Sequence, residues 1–93
     1  MRTVSVRIPA SMACLCDGAN VLAAEGSTVA EVMIDLRRRH PVIGRRLCDE
    51  AGTPSPFVQV YLEDEVEIRQ LEGARTPVEG VLTLLVLAGA AGG

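Results

Sequence analysis

The sequence has no lysine and no tryptophan, and only one phenylalanine and one tyrosine among 93 residues. Without lysine, the chain offers no side chain for an isopeptide bond. With so few rings, its core has to be aliphatic, built from Val, Leu, Ile and Ala. Three cysteines are an odd and small number, which argues against a disulfide framework and for a reduced, cytoplasmic setting. The formal charge of −3 is the wrong sign for general nucleic-acid binding, which needs surplus Lys and Arg against phosphates. The longest apolar stretch, residues 81–93, is interrupted by Thr83 and falls short of the roughly 20 residues of a membrane span. No basic start followed by an apolar run and a cleavage site marks a leader.

What remains is a chain that is 48% hydrophobic, too apolar to be disordered. Its length fits one domain. A core is affordable at this size; a core plus a deep substrate pocket is not.

Thr3-Val4-Ser5-Val6-Arg7-Ile8 alternates polar and apolar residues, as a strand with one buried face does. Pro9 ends it, residues 11–20 read as a loop with an Asp17-Gly18 turn, and Val21-Leu22-Ala23-Ala24 reads as a short second strand closed by Glu25-Gly26. Thr28 and Glu31 have the spacing of a capping box. Val29, Val32, Met33 and Leu36 then fall on one helical face. Acidic residues near the start and Arg37, Arg38 and Arg39 at the end suit the helix dipole. His40-Pro41 stops the helix, and Ile43 with Leu47 suggests one further helical turn. Phe57-Val58-Gln59-Val60-Tyr61-Leu62 is a second alternating strand, Glu63-Asp64-Glu65 an acidic turn, and residues 66–71 a short edge strand. Leu82-Thr83-Leu84-Leu85-Val86-Leu87 is the last strand, apolar on both sides and expected to be buried on both.

This element order predicts an α+β domain with a mixed four- to five-stranded sheet and one main helix packed on one face. The last strand is expected beside the first, in the middle of the sheet. Residues 1–87 form the domain and residues 88–93 a flexible tail. Phe57, Tyr61, Leu85 and Leu87 are expected on the uncovered sheet face, as a partner-docking patch.

Ala88, Gly89, Ala90, Ala91, Gly92 and Gly93 carry no side chain larger than a methyl group. Such a segment adds little to a core and is costly to order. Six extended residues reach about 20 Å, enough to enter a partner's active site while the body docks outside. Two terminal glycines clear the approach to a carboxylate that is to be activated as a mixed anhydride with AMP. The alternative is an ordinary loose terminus.

Several other features point to no chemistry of their own. Cys14 and Cys16, with Cys48 and His40 as the remaining ligands within the chain, make a poor zinc set beside ordinary thiols. His40 lacks a paired nucleophile. Glu63, Asp64, Glu65 and Glu67 read as a solvated turn. No metal or bound cofactor is expected.

The chain resembles the ThiS/MoaD family of ubiquitin-like sulfur carrier proteins, and within it the CysO type. The resemblance runs through Val4-Ser5-Val6-Arg7-Ile8-Pro9, Asp17-Gly18, Gly26-Ser27-Thr28-Val29, Arg39-His40-Pro41, the strand from Phe57 to Leu62, Ile68-Arg69, Thr76-Pro77 and Ala91-Gly92-Gly93. It implies a β-grasp fold. It also implies a carrier that is not an enzyme, whose Gly93 carboxylate, preceded by Gly92, is adenylated by a ubiquitin-activating-type adenylyltransferase/sulfurtransferase using ATP. The resulting thiocarboxylate would pass sulfur to a biosynthetic enzyme making cysteine, a cofactor or a sulfur-containing metabolite. Phe57, Tyr61, Leu85, Leu87 and residues 88–91 would contact these partners, and the chain would act as a monomer or in a heteromeric complex. The departures are Glu63-Asp64-Glu65, Val81-Leu82, and Ala88 and Ala90 in place of residues more usual there; they bear on which partner docks. The small subunit of molybdopterin synthase and a ubiquitin-like modifier or interaction module are the competing readings.

Overall fold

The computed structural model describes residues 2–12 and 18–88. Five strands form one mixed sheet in the order β2-β1-β5-β3-β4, with β1 (Arg2–Arg7), β2 (Val21–Gly26), β3 (Val58–Glu63), β4 (Ile68–Gln70) and β5 (Thr83–Ala88). Two helices, α1 (Val29–Arg39) and α2 (Pro41–Leu47), lie between β2 and β3 in the chain. β1 and β5 run parallel, Val6 opposite Leu84. β2 is antiparallel to β1, and β3 to both β5 and β4. This is the β-grasp arrangement, with the last strand at the centre.

Alternation decides which face of each strand is buried. Val4 and Val6 of β1, Leu22 and Ala24 of β2, Val58, Val60 and Leu62 of β3, and Leu84 and Val86 of β5 all belong to the core. The helical face of Val29, Val32, Met33 and Leu36 joins them with no exposed surface, as do Ile43 and Leu47 of α2. Val78 and Val81, in the long connection before β5, complete the core. No helix among the described residues is long and apolar enough to cross a membrane.

The helix starts as its side chains dictate, with one difference. Thr28 Oγ1 accepts a hydrogen bond from the Glu31 amide at 3.2 Å. Glu31 Oε1 in return accepts from the Ser27 amide at 2.8 Å, one residue before the cap. The Thr28 position is also held by a bridge to Pro77, and the Val29 and Ala30 amides donate to the carbonyls of Thr76 and Ala74. The helix N-terminus is thus closed from outside by the 74–77 segment.

Pro41 ends α1 but opens α2 rather than a single turn. Its missing amide costs nothing at the first position of a helix. α2 packs so closely on α1 that a Cβ on Gly44 would lie 2.3 Å from Arg37 Cα. Gly52, at φ +84°, comes as close to the carbonyl of Ala30.

Two expectations need correction. β5 is not buried on both faces: Leu85 is half-buried and Leu87 is 47% exposed, because both helices sit on the other side. Leu82 precedes the strand and is also exposed. And β5 extends through Ala88, which pairs with Val58, so the first residue assigned to the tail is the last of the sheet. Residues 89–93, including Gly92 and Gly93, lie outside the described residues, as do Cys14, Cys16 and Asp17.

Candidate functional site

The uncovered sheet face is assembled by strand register. Tyr61 of β3 lies opposite Leu85 of β5, and Gln59 opposite Leu87. In the parallel pair Leu85 is next to Arg7, and Arg7 is opposite Val21. On the other side, Tyr61 is opposite Gln70 of β4. One row of the open face therefore reads Val21, Arg7, Leu85, Tyr61, Gln70 across all five strands. The next row, away from the end of β5, reads Ala23, Ser5, Thr83, Glu63, Ile68. Val21 and Ile68 are 46% and 57% exposed.

Tyr61, Leu85 and Leu87 thus come together as the alternation requires. Tyr61 is half-buried, and its hydroxyl donates to Gln59 Oε1 at 3.3 Å. Phe57 differs from expectation in belonging to the turn before β3, where its amide donates to Ser55 Oγ and its side chain is 61% exposed. It stands one residue before Val58, the partner of Ala88. The end of β5 is therefore flanked by exposed apolar groups, Phe57 and Leu87. Val21, Ile68 and Arg7 were missed as members of this face. The signal for Arg7 was in the sequence, since alternation with Val4 and Val6 places it opposite the core.

No catalytic constellation accompanies this surface among the described residues. No group of three His, Cys, Asp or Glu side chains gathers to hold a metal. Cys48 is buried, its Sγ donating toward the carbonyls of Gly44 and Met33. Burial pushes its thiol up, so it remains protonated and unreactive. Asp64 spends its Oδ1 on the amides of Val66 and Glu67, both at 2.8 Å, closing the acidic turn on itself. Those backbone bonds hold its carboxyl below the usual range.

Asp35 is the one buried carboxylate among the described residues, and its role is structural. It accepts from the Glu25 amide at 2.8 Å and pairs with Arg38 and Arg39. Burial alone would raise its pKa. The Arg38 hydrogen bond, the Glu25 amide and the two guanidinium charges outweigh that and hold it low. The effect is to clamp α1 to the outer edge of β2.

The arrangement suits docking: a partly apolar sheet face that includes the exposed Leu87 of β5. No protein-family model matches the sequence, and no curated protein matches it. Solved structures do. The chain is 33% identical to a chain of the Amycolatopsis orientalis BexX/CysO complex, with a TM-score of 0.73, over 97% of this chain and 99% of that one. It is 26% identical to Mycobacterium tuberculosis CysO, with a TM-score of 0.74, over 94% of this chain and 99% of that one. In the first of these structures a CysO-type protein is bound to a partner, BexX. With one fold shared end to end and identity above 30%, the chain belongs to the ThiS/MoaD family of ubiquitin-like sulfur carrier proteins, as a CysO-type member.

Proposed function

We propose that this carrier works through the carboxylate of Gly93 as a protein co-substrate of two enzymes. The first binds ATP. The Gly93 carboxylate attacks the α-phosphorus and displaces pyrophosphate, giving an acyl-adenylate. A sulfide-level sulfur nucleophile then attacks the acyl carbon and displaces AMP, leaving a thiocarboxylate. A second, biosynthetic enzyme accepts that sulfur. The chain itself contributes the acyl group and the surface by which both enzymes hold it.

The observation that carries this reading is the near full-length similarity to CysO chains. The position of β5 supports it. The strand lies at the centre of the sheet and ends at Ala88, five residues before Gly93. Five residues can span at most about 17 Å, a reach suited to an active site whose rim rests on the sheet. Gly92 and Gly93 keep that approach free of side chains. Phe57, Tyr61, Leu85 and Leu87 form the contact surface, with residues 88–91 as the thread between body and reacting group.

The test is intact mass after incubation with ATP, the activating enzyme of the same organism and a sulfur donor. Exchange of one carboxylate oxygen for sulfur adds about 16 Da and supports the reading; an unchanged mass with an enzyme shown to be active on another carrier defeats it.

A further inference from the structure

We infer that Arg7 selects the docking partner, by requiring that the enzyme surface covering the open sheet face carry an Asp or Glu carboxylate. The inference rests on the proposed carrier role and names the chemistry of that contact.

Arg7 is exposed and occupies the second place in its row of five, between Val21 and Leu85. It is the only basic residue that strand register places on the open face, among the described residues. The carboxylates of that face lie in other rows. Glu63 is in the row that contains Thr83; Glu25 is opposite Thr3 and already engaged by Arg39 at 3.6 Å. The Arg7 guanidinium has no ion-pair or hydrogen-bond partner among the described residues. The arginines of α1 are occupied: Arg38 and Arg39 by Asp35, and Arg37 by the Cys48 carbonyl.

Leu85, next to Arg7, is three residues before the end of β5. An enzyme that takes up the terminal segment and rests on Leu85 and Leu87 must therefore cover Arg7 too. An apolar surface laid over this row strips water from a cation, which is unfavourable unless the charge is paired. A carboxylate at that spot turns the penalty into a bidentate, charge-assisted contact. An apolar surface without one is rejected, so a single residue both recruits and excludes. Charge also argues against a second copy of this chain as the occupant. A twofold contact centred on Arg7 would bring two guanidinium groups together. One isolated cation is likewise too little for a phosphate backbone.

The experiment measures KM and kcat for the carrier in ATP–pyrophosphate exchange by the purified activating enzyme. Arg7→Ala is expected to raise KM about tenfold and Arg7→Glu about a hundredfold, with kcat unchanged within twofold. Arg7→Lys should fall between wild type and Arg7→Ala, since an ammonium cannot make the bidentate contact. An Asp or Glu→Arg change in the enzyme should restore Arg7→Glu. Melting temperatures of the variants should match the wild type, because the exposed Arg7 guanidinium has no ion-pair or hydrogen-bond partner among the described residues. Equal KM for all variants overturns the role of Arg7 and leaves the carrier reading intact. Self-association of the wild type that Arg7→Glu abolishes also overturns it, by naming a second copy as the occupant. A wild-type protein that the enzyme never adenylates defeats the carrier reading itself, and this inference with it.

Discussion

Tyr61 and Leu85 face each other across the antiparallel pair of β3 and β5, on the side of the sheet that both helices leave open. The residues flanking each of them in sequence, Val60 and Leu62 on β3 and Leu84 and Val86 on β5, are in the core. The same two strands thus hold the fold together on one face and offer a surface on the other, and substitutions can separate the two roles.

Leu87→Asp should lower partner affinity by tenfold or more while changing stability by no more than about 0.5 kcal/mol, as for other exposed positions. Deleting Gly92 and Gly93 should do the reverse in function: binding to the activating enzyme largely kept, adenylate formation lost. Calorimetric binding beside an exchange assay separates these outcomes. Equal loss of binding in both variants would show that the sheet face and the terminus are not distinct contacts.

Asp35→Asn should cost about 2 kcal/mol, the range for a hydrogen bond to a charged group left without its charge. The pH dependence has a fixed sign. The folded-state pKa of Asp35 lies below its ordinary value, near 3.9 in an unfolded chain. Its stabilisation is therefore complete above that value and fades as pH falls through the folded-state pKa. Denaturant midpoints from pH 7 down to 2 should show wild type and Asp35→Asn converging only at the acid end. A gap that stays constant would assign the loss to packing.

Gly44→Ala should destabilise by about 1–3 kcal/mol, the usual range for overpacking. The obstacle is not the backbone angle of Gly44 but the Arg37 Cα, 2.3 Å from where the new methyl would sit. Because that atom is main chain, α1 and α2 must move apart. Gly73→Ala, which meets nothing within 4 Å, is the control in the same melting experiment.

Thr28→Ala should cost about 1 kcal/mol through loss of the cap to the Glu31 amide. Thr28→Ser should recover most of it. The change is expected in urea midpoints, with partner binding unaffected.

Much of the fold was legible because alternation and helical spacing describe one element at a time. Val4 with Val6, Val58 with Val60 and Leu62, and the Val29–Val32–Met33–Leu36 stripe each named their own buried face. The open-face pair of Tyr61 and Leu85 followed by subtraction. Less legible was anything resting on two distant segments. Ala88 looked like the start of a tail because methyl side chains signal nothing about pairing, yet its partner Val58 makes it a strand residue. Val78 and Val81 gave no periodic signal, and only the return of the chain over α1 buries them. β5 looked doubly buried because its composition is apolar on both sides, whereas burial depends on what covers each side.

The amino-acid order alone determined the local grammar: which residues form strands or helix, and where proline and the Thr28 cap set the ends. Those outcomes come from sterics and hydrogen bonds within a few residues. Tertiary structure alone decided that Arg7 sits between Val21 and Leu85, that Asp35 reaches Glu25, and that α2 lies close enough to need Gly44. Each depends on the register and approach of segments far apart in the chain, which no local pattern encodes.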